Sequence, residues 1–201
     1  MPCPIVNVGY RSTNYWMIGA GPTRLLVDLG WPGSLGEMKA AWTRAGVPAS
    51  EVRYGFATHY HMDHAGLAEE LKRTGMKLIV IDLQQASIPA MRQHMKPQDH
   101  YVEISNQGNL VIAAAESRRL LASMELSGEI VPTPGHSEDS VSLLLDDGCV
   151  FTGDLPGPGM ATAEELPAVM ASWQQLHRRG ARQVFPAHGP CRPLDRPSAS
   201  A

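Results

Sequence analysis

The chain has 201 residues, a formal charge of -3, and 43% hydrophobic against 18% charged side chains, a composition that fits one globular domain with a sizeable core. The weakly acidic balance leaves no basic footprint for nucleic acid, and no apolar run reaches membrane-spanning length. Cys3, Cys149 and Cys191 are odd in number and lack a C-x-x-C pair, which excludes a disulfide framework and a cysteine-rich zinc knuckle.

Met1-Pro2-Cys3-Pro4-Ile5-Val6 lacks the basic and apolar regions of an export signal, so a cytoplasmic protein is expected. Residues 14–18 and 24–28 read as strands joined by the Gly19-Ala20-Gly21-Pro22 turn, and 35–45 as a helix closed by Gly46 and Pro48. Residues 54–58 form a short strand; Leu67, Ala68 and Leu71 then recur at helical spacing until Gly75. The apolar run 76–83 predicts a buried strand, followed by a helix around 84–93. In the second half, 116–124 reads as a helix, 129–133 as a strand, and 141–145 with 149–152 as a hairpin across Asp146-Asp147-Gly148. Thr162-Ala163-Glu164-Glu165 has the form of a capping box opening a helix to about residue 178, and 183–185 is a last strand. The expectation is one α/β domain over 1–192, with the Pro-, Ser- and Ala-rich tail 193–201 frayed.

The chemistry is concentrated in Thr58-His59-Tyr60-His61-Met62-Asp63-His64-Ala65-Gly66. Three imidazoles and a carboxylate within six residues are costly to bury unless something binds or pairs with them. The cluster falls on a loop between a strand end and a helix start. Three more candidates follow predicted strands beside glycine: His136 in Thr133-Pro134-Gly135-His136-Ser137, Asp154 in Phe151-Thr152-Gly153-Asp154, and His188 in Pro186-Ala187-His188-Gly189-Pro190. Glycine lets the backbone turn sharply, so that a ligand can point back into a site. His94, His100 and His177 lack such context and read as ordinary surface or helix residues.

This pattern, H-x-H-x-D-H followed by a His, an Asp and a final His, resembles the metallo-β-lactamase superfamily over nearly the whole chain. The resemblance implies a four-layer αββα sandwich, two mixed sheets flanked by helices, with the site at one edge. It implies that His59, His61 and His136 hold one metal, that Asp63, His64 and His188 hold a second, and that Asp154 bridges them. Zinc is the first expectation, two Zn²⁺ per chain, with Fe or Mn also suited to nitrogen and carboxylate donors. Asp28, in Leu26-Val27-Asp28-Leu29-Gly30, matches an acceptor that supports the metal loop in the family, and reads equally as a strand-ending Asp in a Gly turn.

The implied function is metal-assisted hydrolysis of a small-molecule ester, thioester, lactone or related bond. A water shared by two cations is acidified and attacks as hydroxide, and Asp63 is the catalytic residue that orients it and carries a proton to the leaving group. The alternatives are a mononuclear iron oxygenase resembling persulfide dioxygenases, and a non-catalytic scaffold in which metal only fixes loops. The few residues after His188 do not supply the helical C-terminal domain of a glyoxalase II-like enzyme, and Asp154 stands where one β-lactamase subclass has Cys. The partner expected is a small-molecule substrate, without nucleic acid or membrane; the fold also permits a homodimer. Tyr60 and Tyr101 are candidate substrate-positioning groups. Met91, Met95, Met160 and Met170 are candidate groove residues, with core filling as the competing reading, and Ser117-Arg118-Arg119 is a candidate anion site, with a solvated helix face as its alternative.

Overall fold

The structure, a computed structural model, describes residues 4–19 and 22–194. Along the chain run β1 (Ile5–Asn7), β2 (Trp16–Ile18), β3 (Arg24–Val27), α1 (Leu35–Arg44), β4 (Val52–Phe56), α2 (Met62–Ala65), α3 (Ala68–Arg73), β5 (Lys77–Ile81), α4 (Ser87–Ala90) and β6 (Leu110–Ile112). There follow α5 (Ser117–Ala122), β7 (Gly128–Pro132), β8 (Val141–Leu145), β9 (Cys149–Gly153), α6 (Leu166–Arg178), β10 (Gln183–Pro186) and β11 (Arg192–Pro193). The first sheet has the order β1-β2-β3-β4-β5-β6, and the second β11-β10-β9-β8-β7. Both are mixed: β1 to β3 pair antiparallel and β3 to β6 parallel, while β9 and β10 pair parallel among antiparallel neighbours.

The layers follow from strand alternation, because successive side chains point to opposite faces. Leu25, Val27, Ile79 and Ile81 face Leu143, Leu145 and Phe151 between the sheets, whereas Leu26, Leu78 and Val80 turn outward beneath Met38, Trp42 and Leu71. In the second sheet Leu144, Val150 and Val184 point outward onto Val169, Trp173 and Leu176 of α6. Strands apolar on both faces require cover on both sides, and the result is the four-layer αββα sandwich.

Most predicted elements are present with shifted ends. The segment expected as one helix around 84–93 is broken into a 3₁₀ turn at Asp82–Gln84, the one-turn α4, and a second 3₁₀ turn at Met91–His94. Pro89 lies inside it and removes a backbone donor. The capping box is formed: Glu165 accepts from the Thr162 backbone N–H at 2.9 Å, and the Glu165 N–H donates to Thr162 Oγ1 at 3.3 Å. Strands β1, β6 and β11, of two or three residues, carry too little periodicity to be read from sequence. Pairing extends to Pro193, Leu194 packs against the α6 cluster, and residues 195–201 lie outside the described residues. Cys149, half-buried, packs against the inter-sheet core.

Gln84 joins the two sheets next to the His cluster. Its fully buried amide accepts from the Ile81 N–H at 3.2 Å and shares its own protons among the carbonyls of Ala57, Thr58 and Asp139 at 3.1 to 3.3 Å. Gln84→Leu keeps the volume and strands these groups without water, so a loss of about 2–4 kcal/mol is expected. Urea denaturation checks this, and unchanged stability would contradict the role.

Candidate metal centre

The site lies where the ends of strands from both sheets meet. His59 and His61 sit on the loop after β4, and Asp63 and His64 fall in α2, whose first carbonyl acceptor is His61: the His64 and Ala65 N–H groups donate to it at 3.1 and 2.9 Å. His136 sits on the turn between β7 and β8, Asp154 directly after β9, and His188 after β10. The turns explain their glycines. Gly153 has φ +55°, and a Cβ there would stand 2.3 Å from Thr58 Oγ1; Gly135 has φ +148°, and a Cβ would stand 2.7 Å from Val169. Only glycine allows both the twist and the approach.

All seven sequence-predicted residues converge. Three donor groups form: His59, His61 and His136; His59, His64 and Asp154; and Asp63, His64 and His188. His136 Nε2 is 3.1 Å from His61 Nδ1. Asp154 Oδ2 lies 4.0, 3.4 and 3.6 Å from the Nε2 atoms of His59, His64 and His136, and its Oδ1 is 3.4 Å from His188 Nε2. Asp63 Oδ2 lies 3.5 Å from His64 Nε2 and 3.3 Å from His188 Nε2. Donors held tetrahedrally at about 2.0–2.1 Å from one ion stand about 3.3 Å apart, so these spacings fit. His59 Nε2, His64 Nε2 and Asp154 Oδ1 are buried without a hydrogen-bond partner among the described residues, which is costly unless a cation satisfies them.

Supporting contacts hold each donor. Asp28, 1% exposed, accepts from the Thr58 backbone N–H at 2.8 Å and from Thr58 Oγ1 at 2.9 Å, and its Oδ2 lies 3.1 Å from His64 Nδ1. It occupies the left-handed region at φ 62°, so the strand-ending and supporting readings of Asp28 both hold. Thr13 Oγ1 donates to Asp63 Oδ2 at 3.1 Å, Tyr15 Oη donates to the Asp63 carbonyl at 3.0 Å, and the Ser12 carbonyl lies 2.7 Å from His188 Nδ1. Asp139 Oδ2 accepts from the Tyr60 N–H at 2.8 Å, and the Val141 N–H donates to the Thr58 carbonyl at 2.8 Å, stitching the second sheet to the His loop. Sequence reasoning missed Ser12, Thr13, Gln84 and Asp139. The signal for Thr13 was the polar run Arg11-Ser12-Thr13-Asn14, and for Asp139 its place three residues after His136.

Charge follows from burial and neighbours. Burial, with His64 and His61 beside it, pushes His59 well below the usual imidazole range and keeps it in the neutral form that can ligate. Burial would also lower His64, but the Asp28 and Asp154 carboxylates outweigh it and hold its pKa well above that range. Burial would raise Asp154; His64, then His188 and His136, hold its carboxyl below the ordinary value.

Other sequence candidates are placed elsewhere. Tyr60 is buried in the outer core of the first sheet, and Tyr101 lines a separate groove with Arg92 and His100. Met91 is core, Met95 packs against it, and Met170 lies on α6, whereas Met160 does line a groove beside the site. Arg118 pairs with Asp146 and Glu129, and Arg119 with Glu116, so these two arginines form a solvated, salt-bridged face, whereas Ser117 is fully buried and its Oγ accepts from the Ile130 N–H at 2.9 Å. Two cavities flank His136. One, of about 370 Å³, runs past Asp154 and His188 along Leu155, Pro156, Met160, Pro186 and Pro190; the other, of about 560 Å³, carries Glu138, Glu164 and Glu165. Among the described residues no helix is long and apolar enough to cross a membrane.

Similarity to known proteins agrees with this geometry. "Beta-lactamase-like protein 2 homolog" of Caenorhabditis elegans is 28% identical over 185 residues, covering 90% of this chain and 57% of that protein. "Atrochrysone carboxyl ACP thioesterase" of Aspergillus fumigatus is 28% identical over 186 residues, covering 89% of this chain and 51% of that protein. The chain thus spans about half the length of the curated relatives it matches. A crystal structure of the metallo-β-lactamase FIM-1 from Pseudomonas aeruginosa in a mono-zinc form superposes with a TM-score of 0.64 at 24% identity, covering 90% of this chain and 78% of that one. A family profile described as the metallo-beta-lactamase superfamily matches residues 8–188. With that match across both halves of the sandwich, the chain belongs to the metallo-β-lactamase superfamily.

Proposed function

We propose that the chain is a metal-dependent hydrolase of small-molecule esters, thioesters or lactones. In this reading His59, His61 and His136 hold one cation, Asp63, His64 and His188 a second, and Asp154 faces both. The observation that carries it is the convergence of seven donors at 3.1 to 4.0 Å, several of them buried and otherwise unpartnered. Nitrogen and carboxylate donors without thiolate suit Zn²⁺ first, with Fe and Mn as the other choices. Divalent cations bound there would acidify a water and polarise the scissile carbonyl.

The chain's own groups supply the rest. Asp63, its carboxylate fixed by Thr13, orients the attacking water, accepts its proton and delivers it to the leaving group. His188, held through Nδ1 by the Ser12 carbonyl, presents Nε2 to the site. Leu155, Pro156 and Met160 form an apolar wall against which the substrate excludes water. The thioesterase among the relatives supports thioesters as one substrate bond. A mononuclear iron site drawing on His59, His136 and Asp154 is the competing reading, and in it the second donor group stays empty.

Metal analysis of purified protein, coupled to a panel of ester, thioester, lactone, β-lactam and phosphodiester substrates, tests the proposal. Two equivalents of zinc with turnover of at least one acyl substrate is the expected result. Chelation is expected to abolish turnover and lower the thermal midpoint, and added zinc to restore both. One iron with oxygen uptake on a persulfide would overturn it. A chelated protein that melts early, but whose metal-loaded form turns over nothing in the panel, would favour the scaffold reading.

A further inference from the structure

The groove past Asp154 and His188 contains a cation that the hydrolytic reading does not use. Arg192, on β11, lines it together with the apolar wall. Its backbone is held by the Val184↔Arg192 pairing, and its guanidinium stands over the Trp173 ring, Cζ 5.3 Å from the centroid. Trp173 is itself fixed, because its Nε1–H donates to the Pro156 carbonyl at 2.7 Å, which ties the stacking platform to the groove wall. Arg11, Arg24, Arg118 and Arg179 each face a carboxylate; Arg44, Arg53, Arg178, Arg182 and Arg192 have no ion pair among the described residues, and of these five it is Arg192 that lines the groove. A stacked guanidinium loses little freedom on binding and keeps its planar fork open to an anion. The cavity on the other flank of His136 has the opposite character: Glu138, Glu164 and Glu165 line it, and an anion there would meet like charge.

We propose that Arg192 is a specificity-determining residue, and that the preferred substrate is an ester or thioester with an apolar chain ending in a carboxylate or phosphate. The scissile carbonyl sits at the donors, the chain lies along Leu155, Pro156 and Met160, and the anion meets Arg192. This rests on the hydrolase reading and deepens it. The acidic cavity then takes the uncharged side of the substrate, so the two flanks set the direction in which it lies.

Binding of thiols to the zinc-loaded protein tests the assignment without turnover. ω-Mercaptocarboxylates of two to eight carbons, the matching ω-mercaptoalkyl phosphates, and neutral alkanethiols of equal length are titrated by calorimetry against wild type and Arg192→Gln. At the best chain length, one anionic series is expected to bind about tenfold or more tighter than the neutral thiol. The comparison of the two series shows whether carboxylate or phosphate is preferred. In Arg192→Gln that ratio falls to about one, and in wild type it shrinks as salt rises. Equal affinity of anionic and neutral thiols at every length overturns the proposal while leaving the hydrolase reading intact. A preference that survives in Arg192→Gln overturns the role of this residue. Failure of all thiols to bind removes the metal reading beneath it, which metal analysis registers separately.

Discussion

Asp63→Asn is expected to lower kcat by about 10²- to 10⁴-fold on whichever acyl substrate the wild type turns over. The replacement is nearly isosteric and its Oδ1 can still accept from Thr13, so the fold and the path of α2 remain. What disappears is the negative charge facing His64 and His188, and with it the capacity to take up and release a proton. Two measurements separate these losses. If zinc content stays at wild-type level while kcat falls, the defect is proton transfer; if the content falls by one equivalent, Asp63 acts chiefly as a donor to the metal. The proton-transfer reading also predicts that the pH profile of kcat loses its steepest limb. Activity within about threefold of wild type at full metal content would remove Asp63 from the mechanism.

Asp28→Ala is expected to damage stability and metal binding together. It leaves the Thr58 N–H and hydroxyl without their acceptor in a site that water does not reach, and places alanine in the left-handed region at φ 62°. An unsatisfied buried donor costs about 1–3 kcal/mol and the backbone conformation about 1–2 kcal/mol more. A total near 3 kcal/mol would lower the thermal midpoint by about 6–12 °C. Asp28→Asn keeps both an acceptor and tolerance of the left-handed conformation, so its stability should lie much closer to wild type. Both variants remove the charge beside His64 Nδ1 and are expected to weaken metal binding by about 10- to 100-fold in competition with a chromogenic chelator. Equal melting of Asp28→Ala and wild type would show that the Thr58 contacts carry little energy.

The difference between these two aspartates shows which parts of the site can be read along the chain. Asp63 is visible because it stands among His59, His61 and His64, a local density of donors that has no packing explanation. Asp28, 30 residues before Thr58, reads along the chain equally as a strand end and, through the family resemblance, as a support for the metal loop; its contacts exist because β3 and β4 pair in parallel and bring both ends to one edge. Thr13, Gln84 and Asp139 are less visible still: their partners lie 50, 27 and 79 residues away, and the traces they leave along the chain are no more than a polar run around Thr13 and the place of Asp139 three residues after His136. The same reasoning applies to the elements. β3, β5 and β8 are apolar enough to stand out, whereas β1, β6 and β11 are strands only because a neighbour offers them an edge. Tyr60 shows the opposite error, since a tyrosine between two histidines looks available until alternation along the loop turns its ring into the core.

The sequence by itself determined the donor types and their order and the alternation of apolar strands with helices, and with them the α/β class; the sandwich and the expected chemistry were implied by the family that the donor pattern resembles. Donor order and alternation are properties of local composition and period, which act over a few residues. The tertiary structure alone decided which donor atoms share a cation-sized space, which buried groups fix them, and that Arg192 comes to lie on the groove past Asp154 and His188. Each of these depends on contacts between segments far apart in the chain, and such contacts acquire definite distances only when both sheets close on one core.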